Sequence, residues 1–340
     1  REKAVTNEKG KFVLTLTTHT HPFGFQDMNC TFHSLHWEKE ISLKGYFQPE
    51  SLEEALEILA RKQGKARVIA GGTDVIPQLR RKELESDFLV DLSRIPGMDS
   101  IRLEDGIFAI GALLTHSRVC ASELLREKAR LLVEGAEALG SPQVRNISTV
   151  GGNLVSGQPA ADTSLPFLAL NASVRILSPR GERMVPLTEF FLGQGQTGVD
   201  SHREILTEIR FPALKENQGG CYLRLSKRKA LSLPILALAT VVTIDAAQKL
   251  FKDVTLAIGP VAPVPFRAAK TEAMLRGASI CKEAVEMAGE NASSESSPRS
   301  SSLRGSADYR KEMVKVLVRR GLTLALERAG FPISGGGGYG

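Results

Sequence analysis

The stretch that most constrains this chain is Ser-Pro-Gln-Val-Arg-Asn-Ile-Ser-Thr-Val-Gly-Gly-Asn-Leu-Val-Ser-Gly-Gln-Pro-Ala-Ala-Asp, residues 141–162. At its centre, Thr149, Val150, Gly151, Gly152 and Asn153 set two adjacent glycines between a polar lead-in and a Pro-Ala-Ala-Asp turn. Such a pair admits positive φ and lets backbone approach a ligand with no Cβ in between. Consecutive N–H groups in a turn of this kind form a concavity for an anion, and Thr149 and Asn153 can add side-chain donors. Asp162 can accept hydrogen bonds from a sugar or polyol, or cap the helix that follows it. A second stretch repeats the device: the apolar strand Ala66-Arg67-Val68-Ile69-Ala70 runs into Gly71, Gly72, Thr73, Asp74 and Val75. Two such loops can clamp one diphosphate from both sides. Neither is a G-x-G-x-x-G opening a helix, and no G-x-x-x-x-G-K followed by Ser or Thr occurs. A Rossmann fingerprint and a P-loop are therefore excluded.

Taken together, Ala70-Gly-Gly-Thr-Asp74, Ser141-Pro-Gln-Val-Arg-Asn146, Thr149-Val-Gly-Gly-Asn153 and Pro159-x-x-Asp162 resemble the FAD-binding medium subunit of molybdenum hydroxylases. These are the xanthine dehydrogenase, carbon monoxide dehydrogenase and 4-hydroxybenzoyl-CoA reductase group. The resemblance runs from about Tyr46 to Leu326, with the motifs in order. It implies an α+β fold: a PCMH-type FAD-binding domain of two α/β subdomains over 46–215, then a C-terminal α+β domain over 216–330 like that of the carbon monoxide dehydrogenase flavoprotein. Residues 1–45 would be an extension and 331–340 a glycine-rich tail. It also implies FAD contacts from Val68, Ile69, Ala70, Gly71, Gly72, Thr73, Asp74 and Val75, from Thr115, from Thr149 through Asn153, and from Asp162, Leu206 and Arg224.

Composition narrows the role. Lys and Arg outnumber Asp and Glu by 44 to 38, but they are scattered, and only 6% of residues are aromatic. Nucleic-acid binding thus has little support, whereas a mildly basic face suits an anionic cofactor or partner. The four cysteines, Cys30, Cys120, Cys221 and Cys281, form no C-x-x-C pair, so no zinc or iron–sulfur site is expected in this chain. With no apolar run long enough to span a bilayer and no signal-peptide pattern, a soluble cytoplasmic protein is expected. His19, His21, His33, His36 and Cys30 gather in the first 45 residues, without the spacing of a metal motif.

Along the chain, Ser51 with Glu54 forms a capping box for a helix whose Leu52, Ala55, Leu56 and Leu59 share a face. Asp74 is placed to cap a helix over 75–81, and Asp105-Gly106 to turn a hairpin. Thr115 is both a helix N-cap and, by resemblance, a residue near the flavin. A helix over 117–125 and another over 129–139 follow, then a short one after Asp162. Hairpins at 174–187, the Phe190-Phe-Leu-Gly193 loop and a strand over 204–212 complete the first domain. Leu206 and Arg224 are placed by resemblance near the isoalloxazine, where a cation would stabilise reduced flavin; the other reading of Arg224 is a surface strand residue. The serine-rich run 291–302 reads as a mobile loop, ahead of a last helix over 309–328.

The resemblance implies electron transfer: substrate oxidised at the molybdenum cofactor of a large partner subunit, and electrons carried by two [2Fe–2S] clusters of a small subunit to FAD here and on to NAD⁺ or another acceptor. The assembly would be a heterotrimer or a pair of heterotrimers. One rival is a free-standing oxidase of the vanillyl-alcohol oxidase type, for which His116 or Cys120 would tether the flavin. The other is a scaffold subunit that has lost FAD.

Overall fold

A computed structural model describes residues 5–6, 12–13, 43–228 and 231–333. The chain divides into two compact units, Arg1–Lys39 and Glu40–Gly340. In the first, Val5–Thr6 pairs with Phe12–Val13 in an antiparallel ladder. The histidine-rich segment lies outside the described residues.

The second unit opens with a three-stranded parallel sheet in the order Gly45–Phe47, Phe88–Asp91, Ala66–Ile69. Helix Leu52–Arg61 covers it, burying Ala55, Ile58 and Leu59. Ser51 accepts from the Glu54 N–H at 3.1 Å, one half of the capping box, while the Glu54 carboxylate accepts from the Glu50 N–H at 2.9 Å rather than from Ser51. Helix Val75–Arg81 follows the Ala66–Ile69 strand, and Leu79 packs with Ile69 and Leu89.

Next comes a five-stranded antiparallel sheet, ordered Ile101–Glu104, Ile107–Gly111, Ile205–Pro212, Ser173–Ser178, Gly181–Pro186. Asp105 and Gly106 both have positive φ, as the expected two-residue hairpin turn demands. Phe108 stacks on Phe211 at 5.0 Å in the core beneath. The helices between these strands are shorter than the sequence pattern predicts. The helix expected over 117–125 is two, His116–Ala121 and Glu123–Lys128, because Ser122 is extended and caps the second by accepting from Leu125.

The C-terminal part is an antiparallel meander, Gln218–Ser226, Pro234–Asp245, Leu250–Gly259 and Phe266–Arg267. Helices Ala269–Leu275, Lys282–Glu295 and Ala307–Arg328 accompany it. The long last helix lies so close to the sheet that a Cβ on Gly219 would strike the Ala325 carbonyl. The serine-rich run is not the loose loop expected. Its first five residues complete helix Lys282–Glu295, and Ser293, Ser296 and Pro298 are buried. Small side chains let Ser293 donate to the Lys311 carbonyl at 3.0 Å, which composition alone cannot signal.

Glu134 joins the two parts. Its carboxylate accepts from the Tyr222 N–H at 2.9 Å and pairs with Arg328 at 2.6 Å.

Candidate cofactor site

The first glycine loop leaves the parallel sheet at Ile69 and enters helix Val75–Arg81. Gly72 has φ of +70°, a conformation costly for any residue with a Cβ. Among the described residues, the N–H groups of Gly71, Gly72, Thr73 and Asp74 meet no acceptor. Unpartnered consecutive donors at a strand end are the cradle an anion needs. The half-buried Thr73 hydroxyl is likewise without a partner among the described residues. Asp74 sits at the cap position, but its side chain makes no cap hydrogen bond. Its backbone is helical (φ −106°, ψ −45°), whereas a capping carboxylate needs an extended residue. Val68 donates to the Ser201 carbonyl at 2.9 Å, Ile69 is buried, and Val75 packs against the Ile69 cluster. Ala70 completes the turn. These four side chains build the wall, so the loop offers its backbone.

The second loop differs from expectation. Thr149 is the N-cap of a helix, Val150–Val155, not a free turn. Val150 donates to the Leu114 carbonyl, Gly151 to the Ala112 carbonyl (both 2.9 Å), and Gly152 to Thr149 Oγ1 at 3.1 Å. The row of donors read from the sequence is therefore spent inside the protein. Gly151 is needed for close approach: a Cβ there would lie 2.7 Å from both Cβ and the carbonyl oxygen of Ala112. Gly152 is exposed, and a Cβ on it would approach only Thr149 Oγ1.

The two loops are neighbours. A Cβ on Gly71 would collide with the Ile147 carbonyl, so the first loop lies directly on the chain entering the second. Thr115 bridges to Thr149 in an antiparallel pair and caps helix His116–Ala121 by accepting from Arg118. Both expected placements of Thr115, cap and site, are thus compatible. Asn153 Oδ1 accepts from the Thr163 hydroxyl at 2.6 Å, which leaves its NH₂ without an acceptor among the described residues.

Asp162 does not cap the helix Ser164–Ala169, whose cap position is Thr163. It is buried, accepts from the Tyr222 hydroxyl at 2.6 Å and faces Arg224 Nε at 3.3 Å without hydrogen-bond alignment. Burial pushes its carboxyl up to about 6, against the opposing pull of Arg224 and the Tyr222 hydrogen bond. Arg224 is not a surface residue. Its guanidinium donates to the carbonyls of Ala138 and Ser232. Leu206 is buried, in the same hydrophobic core cluster as Val150 and Leu154.

Sequence reasoning missed Tyr222, although the aromatic residue two before the cation of Tyr222-Leu-Arg224 marks it. It also missed a buried polar chain. His116 Nδ1 lies 2.8 Å from Ser148 Oγ, and Nε2 lies 3.3 Å from Thr163 Oγ1, which continues to Asn153. Burial depresses His116 to about 4, so the ring is neutral at physiological pH. The ring is buried and both its nitrogens face protein oxygens, which disfavours a flavin tether there. The Cys120 thiol is pushed up, chiefly by burial, which opposes the thiolate a tether requires. Among the described residues no group of three or more His, Cys, Asp or Glu could hold a metal, and no helix is long and apolar enough to cross a membrane.

Residues 39–214 match the family model of the FAD binding domain in molybdopterin dehydrogenase. The chain belongs to this family. Residues 221–325 match the carbon monoxide dehydrogenase flavoprotein C-terminal domain, which gives the expected α+β architecture its second half. The carbon monoxide dehydrogenase medium chain of Hydrogenophaga pseudoflava is 32% identical over 283 residues, 83% of this chain and 97% of the relative. The xanthine dehydrogenase FAD-binding subunit of Escherichia coli O157:H7 is 30% identical over 84% of this chain and 97% of its own length. Among solved structures, carbon monoxide dehydrogenase from H. pseudoflava lacking the Mo-pyranopterin moiety of its cofactor aligns with a TM-score of 0.80 at 31% identity. That alignment covers 84% of this chain and 98% of the other. As a medium, FAD-binding subunit of the molybdenum hydroxylases, the chain is an oxidoreductase component. The free-standing oxidase is not favoured.

Proposed function

We propose that this chain carries electrons out of a molybdenum hydroxylase, holding FAD between its two glycine loops. The observation that carries the reading is the row of unpartnered N–H groups from Gly71 to Asp74, lying on the chain that enters the second loop. These donors, with the Thr73 hydroxyl and the Asn153 NH₂, fit a diphosphate. The exposed backbone at Gly152 lets the bound group lie directly on the helix Val150–Val155. Asp162, Arg224 and Leu206 would stand behind the flavin. When bound, FAD supplies a centre that exchanges electrons singly or in pairs. The protein's own part is to fix that centre, to keep a neutral His116 and a paired Arg224 behind it, and to exclude water.

The partners that fit are a large subunit with the molybdenum cofactor, where substrate is oxidised, and a small subunit with two [2Fe–2S] clusters. NAD⁺ or another acceptor takes the electrons from this chain. The relatives' names, a carbon monoxide dehydrogenase medium chain and a xanthine dehydrogenase FAD-binding subunit, support this division of labour. The test is purification of the native complex through this chain, with absorbance spectra and metal analysis. Flavin with molybdenum and about four irons per flavin is expected, as two [2Fe–2S] clusters require. Flavin on a solitary, metal-free chain would overturn the reading.

A further inference from the structure

The polar chain behind the second glycine loop joins four helices. His116 begins helix His116–Ala121, Ser148 follows helix Pro142–Ile147, Asn153 lies in helix Val150–Val155, and Thr163 holds the cap position of helix Ser164–Ala169. His116, Ser148 and Thr163 are buried, and Asn153 is half-buried at the outer end. Buried polar groups ordinarily satisfy one another, but here one group is left over. Asn153 Oδ1 accepts from Thr163, and its NH₂ has no acceptor among the described residues.

The direction of that amide decides what the site can hold. Turned by 180°, Asn153 would present a carbonyl oxygen, which repels the anion that its NH₂ attracts. The two ends of an amide have nearly the same shape, so its direction is set by the hydrogen bonds behind it. Thr163 has one hydroxyl hydrogen and two neighbours, Asn153 Oδ1 at 2.6 Å and His116 Nε2 at 3.3 Å. A bare Nε2 would compete for that hydrogen. A protonated Nε2 donates to Thr163 instead, and the hydroxyl hydrogen is free for Asn153.

Two distances favour the protonated Nε2. The 2.6 Å contact has the length of a hydroxyl donating to an oxygen. Nδ1 lies 2.8 Å from the Ser148 hydroxyl, which can donate to it, and 3.0 Å from the Ser148 carbonyl, which already accepts the His116 backbone N–H at 3.1 Å. The ring is neutral and has a single N–H to give. With the Ser148 hydrogen on Nδ1, that N–H sits on Nε2. Every hydrogen then points outward, from Ser148 to His116, to Thr163, to Asn153.

We propose that His116 is a positioning residue of the cofactor site: donating from Nε2 to Thr163, it directs the Thr163 hydrogen to Asn153 Oδ1 and so holds the Asn153 NH₂ toward the diphosphate. The inference rests on the reading that FAD lies between the glycine loops. His116 acts through two side chains and is itself enclosed.

Nitrogen-15 NMR of the histidine-labelled full chain reads which ring nitrogen carries the proton, with His116→Gln identifying the signal. The proton is expected on Nε2. A proton on Nδ1 overturns the inference, because Thr163 would then serve the ring and Asn153 would meet the anion with its carbonyl. Flavin titration of the full chain, co-produced with its partner subunits, gives the second readout in Thr163→Val and Thr163→Ser. Valine keeps the bulk of Thr163 and removes the hydroxyl, whereas serine keeps the hydroxyl and removes a methyl group. Thr163→Val is expected to raise the Kd for FAD about ten-fold, the effect of one lost hydrogen bond. Thr163→Ser is expected to stay within about two-fold of wild type while melting lower. A merely structural role would make affinity follow Tm, so weakened FAD binding in both variants, or in neither, overturns the inference. Were Thr163→Val not to fold, the proton position and the affinity of Thr163→Ser still decide. A wild-type complex that binds no FAD overturns the functional reading and this inference with it, whereas FAD binding with the proton on Nδ1 overturns the inference alone.

Discussion

The two glycine loops share a Gly-Gly pair after an apolar residue and have opposite states. In the first, successive N–H groups from Gly71 to Asp74 point to no acceptor among the described residues. In the second, Val150, Gly151 and Gly152 give theirs to Leu114, Ala112 and Thr149. The glycines also serve different ends. Gly71 and Gly151 are small because backbone lies against them, Gly72 because its φ is positive, and Gly152 because its face is open. One loop is a set of donors; the other is a rigid floor pinned to the chain 112–115. A diphosphate held as proposed would draw its backbone hydrogen bonds from the first loop, and its shape together with the Asn153 NH₂ from the second.

The largest test of this division is Gly71→Ala. A methyl group there meets the Ile147 carbonyl, which is backbone and cannot swing aside. Separating the loops to make room is expected to cost on the order of 4 kcal/mol. The purified variant should melt lower and lack flavin absorbance. A yellow protein with wild-type Tm would show that the loops do not touch as described.

Asp162→Asn comes next. The carboxyl titrates near 6 in the folded protein against 3.8 for the free group, so the folded state binds its proton more tightly than the unfolded chain. Its contribution to stability is fully present below pH 3.8 and is lost as pH rises through about 6. An asparagine does not titrate. Between pH 4 and 7 the stability of the variant relative to wild type should therefore rise by about 3 kcal/mol. Chemical denaturation of both proteins at several pH values measures this difference, and parallel pH profiles would refute the raised carboxyl.

Thr149→Val and Thr73→Val form a matched pair with smaller effects. Thr149 caps a helix, and losing that bond should cost about 1 kcal/mol of stability. Thr73 makes no bond among the described residues, so its valine variant should keep its Tm and release FAD more readily, by about ten-fold for one lost hydrogen bond. Thermal melts beside flavin titrations separate the two. Equal loss of FAD without loss of stability in both would erase the distinction between donor loop and floor.

Much of this was legible in the sequence because it is local. The capping box at Ser51, the hairpin at Asp105-Gly106 and the strand into Gly71 depend on residues within a few positions of one another. The state of the second loop was not legible, since the acceptors for Val150 and Gly151 come from residues more than thirty positions earlier. Thr-Val-Gly-Gly-Asn also reads as a turn because glycine disfavours helix interiors; packing against Ala112 overrides that preference. Asp162 and Tyr222 are sixty residues apart in sequence, and only the junction of the two domains brings them together. The serine-rich run misled for the same reason: composition reports solubility, while Ser293 and Ser296 are buried by what lies against them.

Gly152→Ala gives the smallest and most discriminating effect. The residue is exposed near the start of a helix, and its new Cβ would approach only Thr149 Oγ1, 3.0 Å away. Alanine favours helix over glycine by up to about 1 kcal/mol, so the isolated chain should melt at the same temperature or slightly higher. FAD bound as proposed, against that backbone, would meet the methyl group instead, and its Kd should rise about ten-fold. Stability and affinity then move in opposite directions, which a general loosening of the fold cannot produce. Unchanged affinity would mean that the open face of the second loop borders solvent, leaving the first loop to hold the cofactor alone.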